Sequence, residues 1–300
     1  MDMNDYFYFV HVVEKQGFAP AGRALGIPKS RLSRHINQLE EDLGVRLIQR
    51  TSRQFMVTDI GKKLYHHARK AVDEVETANA VVQQDSKILS GRVRLSCSVG
   101  MAQFALCDII TKFVGRHPEV EIIQQVTNRS VDLIEQGIDM AIRAHGDLLP
   151  DSTLIHRRLA SVDWGLFASP DYLEEVGTPI TPEQLENHVG LKLGWRPDDG
   201  NWTLRDRDGS SFSIPYRPRL CSDDMFTLKK AASVGLGIVG LPIYVCRDEL
   251  KVNQLTRLLP DWTAGNAEIS LLMPSRQGVA PAVKTFASYL SEELPKIVAV

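Results

Sequence analysis

The most restrictive local pattern in the chain is Gly26-Ile27-Pro28, set between two short apolar-patterned segments. Glycine reaches the left-handed conformation that closes a helix, and proline opens the next one. Upstream, Ala21, Arg23, Ala24 and Leu25 predict a short helix with Pro20 in its first turn. Downstream, Leu32, Ile36, Leu39 and Leu43 recur at steps of four, three and four, and Gly44 ends the segment. Tyr6, Phe7, Phe9, Val10 and Val13 predict an earlier helix, stopped at Lys15-Gln16-Gly17. Leu47-Ile48 and Phe55-Met56-Val57 flank a basic polar tip, Arg50 to Gln54, and read as a small hairpin or wing.

Helix, tight turn, helix is the arrangement that lays its second helix in the DNA major groove, with the N-terminal residues over base edges. Lys29, Ser30, Ser33 and Arg34 fall opposite Leu32, Ile36 and Leu39, and Pro28 and Arg31 share the same turns. Arginine can grip guanine O6 and N7 with two hydrogen bonds, serine serves base or phosphate, and a helix N-terminus attracts phosphate. Arg50 and Arg53 in the wing suit backbone or minor-groove contacts. An isolated Lys/Arg/Ser face is ordinary solvated surface. Joined to the turn and a basic wing, it makes double-stranded DNA the expected partner. Net charge gives little help: residues 1–90 balance at +2 and residues 91–300 at −4.

From Thr58 to Leu89 there is no proline, and Gly61 is the only glycine. Leu64, Ala68, Ala71, Val75, Ala78, Val82 and Leu89 follow a four-three register broken only at Asp85. A seam repeating every 3.5 residues is the signature of paired helices. A single amphipathic helix against its own domain is the plainer alternative. The expected organisation is a DNA-binding domain at 1–58, a linker helix for dimerisation at 59–90, and a third unit at 91–300.

After Ser90-Gly91 strands and helices alternate, which argues for an α/β unit with a largely parallel sheet. Strands are expected at Val93–Cys97, Val120–Val126, Ile138–Arg143, Val162–Ala168, Ile238–Leu241 and Ile269–Met273. Helices are expected around Phe104–Phe113, Ser130–Gln136, Pro170–Val176, Asp223–Val234 and Ala282–Leu294, with a hairpin turn at Asp208-Gly209. No apolar run approaches the ~18–20 residues of a membrane helix, and the start is unlike a signal peptide. A cytoplasmic protein is expected.

Several motifs fail on context. Gly235-Leu236-Gly237-Ile238-Val239-Gly240 matches a dinucleotide fingerprint literally, but it leaves a helix and enters a strand, the reverse of the order required. Gly235 reads as a helix cap instead. His66-His67, His145 and His156 show no metal-ligand spacing, so no metal or other cofactor is expected. Cys97, Cys107, Cys221 and Cys246 are too scattered for a zinc site. A redox-sensing regulator remains an alternative, with Cys221 the first candidate thiol, close in sequence to Arg219. Trp195 and Trp202 read as packing residues, with Trp195 also able to line a cleft. No nucleophile–base–orienter set can be assembled, so an enzyme is not expected.

Taken in order, Phe18-x5-Ala24-Leu25, Ser30-x2-Ser33, Gln38-Leu39-Glu40, Leu43-Gly44-Val45-Arg46-Leu47, Arg50 and Val57-Thr58-x2-Gly61 resemble the N-terminal signature of the LysR-type transcriptional regulators. The resemblance extends over the whole chain and is specific over residues 1–65. Gly17 and Ile48 depart from it, where members often carry Ser and Phe. The resemblance implies a winged helix-turn-helix, a linker helix, and an effector domain of two Rossmann-like lobes resembling type 2 periplasmic binding proteins. Lobe one would hold 91–162 and 269–300 and lobe two 163–268, with chain crossings near Val162 and Ala267. It also implies homodimers or homotetramers that bend promoter DNA and answer a small-molecule coinducer, with RNA polymerase a further partner. Ligands of such domains sit where strands end and helices begin. That rule selects Ser98, Val99, Gly100, Met101, Thr127, Asn128, Ser222 and Asp223. Hydroxyls and amides at helix starts would suit an anionic ligand, and plain N-caps are the alternative.

Overall fold

The computed structural model describes residues 2–51, 54–82, 88–146, 154–196, 198–274 and 279–299; side chains at 50, 51, 54, 73 and 76–82 are not described. Three helices, α1 (Met3–Glu14), α2 (Phe18–Leu25) and α3 (Lys29–Leu43), precede a hairpin of β1 (Ile48–Thr51) and β2 (Gln54–Val57). Gly26 ends α2 at φ 65°, Pro28 caps α3, and Gly44 closes it. Leu32, Ile36 and Leu39 are buried with Phe9, Val10 and Val12 of α1, so the expected apolar stripe forms the core of this head. Gly17 caps α2 without a side-chain hydrogen bond, the local cost expected of that departure.

Helix α4 (Asp59–Val82) begins against the hairpin. Thr58 Oγ1 accepts from Gly61 N at 3.0 Å and donates to Arg46 O at 2.8 Å. A Cβ at position 61 would lie 2.2 Å from Leu47 O, so only glycine permits this approach. The first half of α4 packs on its own head through Leu64, Tyr65, Ala68 and Val72. Farther along, Val75 is 51% exposed. The single-domain alternative therefore describes the first turns, and the free face begins later. Ala78 and Val82 lie on α4, but their side chains are outside the described residues, as is Asp85. Leu89 corrects the expected helix end at 90. Residues 88–90 are not helical, and Leu89 packs against the core of the following unit.

That unit is built on one continuous mixed sheet. Its strands are β3 (Gly91–Cys97), β4 (Val120–Val126), β5 (Met140–His145), β6 (Ile155–Ala168), β7 (Gly190–Leu193), β10 (Pro218–Ser222), β11 (Ile238–Pro242), β12 (Thr256–Leu258) and β13 (Asn266–Met273). Their order is β10-β7-β11-β6-β13-β5-β3-β4, with β12 also on β6. The pairs β3–β4, β3–β5, β10–β7 and β11–β7 are parallel, as expected. β6 and β13 are antiparallel to their neighbours, so the sheet is less uniformly parallel than the alternation suggests. β6 belongs to both halves of the sheet, and its Val162 pairs with Ala267 of β13.

The helices are α5 (Val99–Met101), α6 (Cys107–Arg116), α7 (Pro170–Val176), α8 (Met225–Ser233), α9 (Arg247–Lys251) and α10 (Pro281–Val298), with a wider π-turn, Ala102–Leu106, joining α5 to α6. β8 (Gly200–Arg205) and β9 (Ser211–Tyr216) form the expected hairpin, and Trp202 stacks on Tyr216 with ring centres 4.1 Å apart. The helix expected at Ser130–Gln136 is absent. The segment is a turn, with Asp132 Oδ1 accepting from Glu135 N at 2.8 Å before Gly137 reverses the chain. Val234 is the C-cap of α8, and Gly235 stands one residue beyond it at φ 80°, ahead of strand β11. Among the described residues no helix is long and apolar enough to cross a membrane, and no group of His, Cys, Asp or Glu is placed to hold a metal.

Candidate DNA interface and effector cleft

At the N-terminus of α3, Pro28, Lys29, Ser30, Arg31 and Arg34 are exposed and Ser33 is half-buried. They form one polar surface behind which Leu32 and Ile36 are fully buried. The backbone of Arg50 lies in β1 with its side chain outside the described set, and Arg53 lies outside the described residues altogether. The wing is fixed to the recognition helix by a residue whose role depends on distant neighbours. Glu40 Oε1 accepts from Leu47 N at 2.8 Å and Ile48 N at 2.9 Å, so the carboxylate of α3 sets the angle at which the hairpin leaves. Glu40 stands in the N-terminal signature, but its pattern does not reveal this function.

The residues selected for the cleft come from both halves of the sheet and meet. Ser98 caps α5, accepting from Met101 N at 3.4 Å. Thr127 N donates to Cys97 O at 2.9 Å, which brings the end of β4 beside the end of β3. Asn128 then reaches both ways: Oδ1 accepts from Val99 N at 3.0 Å, and Nδ2 donates to Asp223 O at 3.4 Å. A Cβ on Gly100 would stand 3.1 Å from Met225 Sδ, so the starts of α5 and α8 lie close together. Ser222 is not the plain N-cap of its alternative reading. Its Oγ accepts from Asp224 N at 3.1 Å, and Asp224 caps α8 by accepting from Phe226 N and Thr227 N. Those bonds, the Thr227 hydroxyl first, hold the Asp224 carboxyl below its usual range.

Two further side chains complete this region. Arg143 lies within β5 and follows Ile142, which pairs with Cys97, so it stands level with Ser98 just past the end of β3. Its guanidinium donates to Ser96 Oγ at 2.7 Å and to Ile142 O at 3.3 Å, both neutral acceptors, and burial lowers its pKa. Sequence reading missed it because a lone Arg in a strand carries no motif. Trp195, 74% exposed, follows Gly194, whose amide donates to Ser222 O at 2.8 Å, so it stands at the rim. Deeper between the lobes, Tyr244 OH meets Met101 Sδ at 3.6 Å, and Lys229 Nζ lies 4.7 Å above the Phe104 ring.

The thiols divide. Cys97 and Cys246 are buried, and burial raises both pKa values, so neither carries the lowered pKa of a reactive thiolate. Cys107 is exposed and Cys221 half-buried.

A recognition helix with an anchored wing, joined to a two-lobed domain with facing strand ends, defines a DNA-binding regulator with a small-molecule domain. Comparison with known proteins places it further. Residues 3–62 match the bacterial regulatory helix-turn-helix protein, lysR family, and residues 86–295 match the LysR substrate binding domain. The chain belongs to the LysR-type transcriptional regulators. An HTH-type transcriptional regulator of Xanthomonas campestris pv. campestris is 30% identical over 298 residues, 98% of this chain and 86% of that one. Full-length AphB, the Vibrio cholerae virulence activator, superposes with TM-score 0.61 at 25% identity, covering 98% of this chain and 100% of that one. CrgA of Neisseria meningitidis superposes with TM-score 0.60 at 27% identity, covering 98% and 99%.

Proposed function

We propose that the cleft at Ser98–Met101, Thr127, Asn128, Ser222 and Asp223 binds a small anionic coinducer, with Arg143 as its charge partner. The observation that carries this reading is Asn128, whose amide bonds Val99 N in one lobe and Asp223 O in the other. A ligand exchanging either bond changes how the lobes are held together. Arg143, half-buried with neutral acceptors, gains most from a carboxylate or phosphate. The head reads promoter DNA through Lys29, Ser30, Ser33 and Arg34, with Pro28 and Arg31 positioning the helix start and Arg50 and Arg53 on the backbone. The exposed side of α4 pairs two copies into a homodimer, or a homotetramer through further contacts, and RNA polymerase is the downstream partner. The protein acts in the cytoplasm as a regulator and catalyses no reaction.

The test is a thermal-shift screen of carboxylate and phosphate metabolites against the full-length chain. A subset should raise Tm, and Asn128→Ala and Arg143→Gln should abolish the shift. If no compound raises Tm or alters the DNA footprint, an architectural DNA binder is the better description. A second reading, redox sensing, rests on Cys221 and Cys107, the two thiols that burial leaves accessible. Its precedent is the AphB regulatory domain of Vibrio vulnificus, which has been treated with cumene hydroperoxide and studied with a cysteine replaced by serine. An unchanged promoter response to peroxide in a Cys107→Ser, Cys221→Ser double variant would remove it.

A further inference from the structure

Glu14 ends α1 in the DNA-reading head, yet its carboxylate is shared with the effector domain. Oε1 receives Arg94 Nη2 of β3 at 3.2 Å, Arg69 Nη1 of α4 at 3.3 Å and the Tyr65 hydroxyl at 3.4 Å. Oε2 lies 3.7 Å from Arg92 Nη1 of β3 and 3.7 Å from His11 Nδ1. The cluster is largely buried: the side chains of Glu14 and Arg94 are 15% exposed and that of Arg69 4%. Burial and the Glu14 charge push the Tyr65 phenol up, as a desolvated carboxylate beside it requires. The middle of β3 is itself anchored, since Arg94 N donates to Asp139 Oδ2 at 2.6 Å. Alongside, the head and lobe one stand apart across a crevice of about 1210 Å³, with Gln16, Met56 and Tyr65 on one wall and Glu135 and Gln136 on the other. Beside that crevice, Glu14 is a direct contact between the head and β3.

We propose that Glu14 is a positioning residue that fixes the DNA-reading head against lobe one of its own subunit, giving the effector domain a route to the recognition helix besides α4. Removing one partner from a buried ion cluster leaves an uncompensated charge, so the intact cluster is strongly favoured over a partly broken one. A contact with two discrete states is what coupling between sites requires. The inference goes beyond the sensing reading and does not depend on which ligand the cleft takes.

The experiment uses the full-length protein with no small molecule, read by hydrogen exchange. Glu14→Gln should speed exchange of the Val93–Leu95 amides by about tenfold or more with the far-ultraviolet spectrum unchanged. The sharper variant is Arg94→Gln, which lies in the other domain. It should speed exchange at Lys15, Gln16 and Gly17, amides of a helix end it does not belong to, by about the same factor. The double variant should add nothing further. On an operator selected from a random duplex pool, Arg94→Gln should change the bend angle. Unaltered exchange at Lys15–Gly17 in Arg94→Gln, simple addition in the double variant, or an unaltered bend would each overturn the proposal. Should Glu14→Gln fail to fold, the Arg94→Gln measurements decide alone. None of these readouts involves a coinducer, so a failed metabolite screen and a failed Glu14 contact are told apart.

Discussion

Arg34 is exposed on α3 one turn beyond Ser30, with fully buried Leu32 and Ile36 locking the helix beneath it. Replacing it with alanine should cost about 1–3 kcal/mol at the specific site if it grips a guanine, with relaxed preference at one base position. Equal weakening on every duplex, measured as affinity across a randomised pool, would reassign it to a phosphate. Residues of this kind are legible from sequence, because an exposed cation on a helix whose opposite face is apolar needs only the helical period. Arg143 is not, and for Glu40 and Asn128 the position is legible but the partners are not. Each acts on groups brought close by the fold: Glu40 on amides seven and eight residues on, Asn128 on Val99 and Asp223, Arg143 on Ser96. Nothing in their own sequence neighbourhoods marks those partners.

At the level of elements, the linker helix shows how a periodic pattern can be right in kind and wrong in extent. The four-three register divides along α4: Leu64 and Ala68, with the neighbouring Val72, face the head, and Val75 turns outward at 51% exposure. Val75→Asp should leave the head folded and shift the oligomer toward monomer in light scattering; an unchanged mass would displace the pairing seam from this position. The other misread elements share a cause. Asp132 caps its turn as it would a helix, but Gly137 arrives within one turn and Leu133 and Ile138 serve a small local core instead. Ser222 resembles a cap because it precedes the helix. Asp224, two residues on, is the better-placed acceptor and takes that role. Local signals name the kind of element well, while its ends are settled by competition among neighbours that all carry plausible capping groups.

At the scale of the whole molecule, Gly100 and Met225 make one of the close contacts between the lobes. A valine at position 100 would press its branched side chain into the Met225 thioether and hold the strand ends apart. Small-angle scattering should then show a larger radius of gyration without loss of secondary structure, and an unchanged profile would mean that the thioether simply swings aside. The two crossings expected near Val162 and Ala267 turn out to be strand partners, a relation invisible to any local pattern because they lie 105 positions apart.

Strand β6 is one uninterrupted run of 14 residues that pairs with β13 at one end and with β11 and β12 at the other. A chain segment threaded through two units in this way works as a shared spar. Neither unit can melt without stripping hydrogen bonds from the other, and the core that includes Val93, Leu95, Leu191 and Val239 extends across both. Calorimetry on the effector domain should therefore record one endotherm whose van't Hoff and calorimetric enthalpies agree. Two separable peaks would mean that the spar bends freely and the halves fail independently.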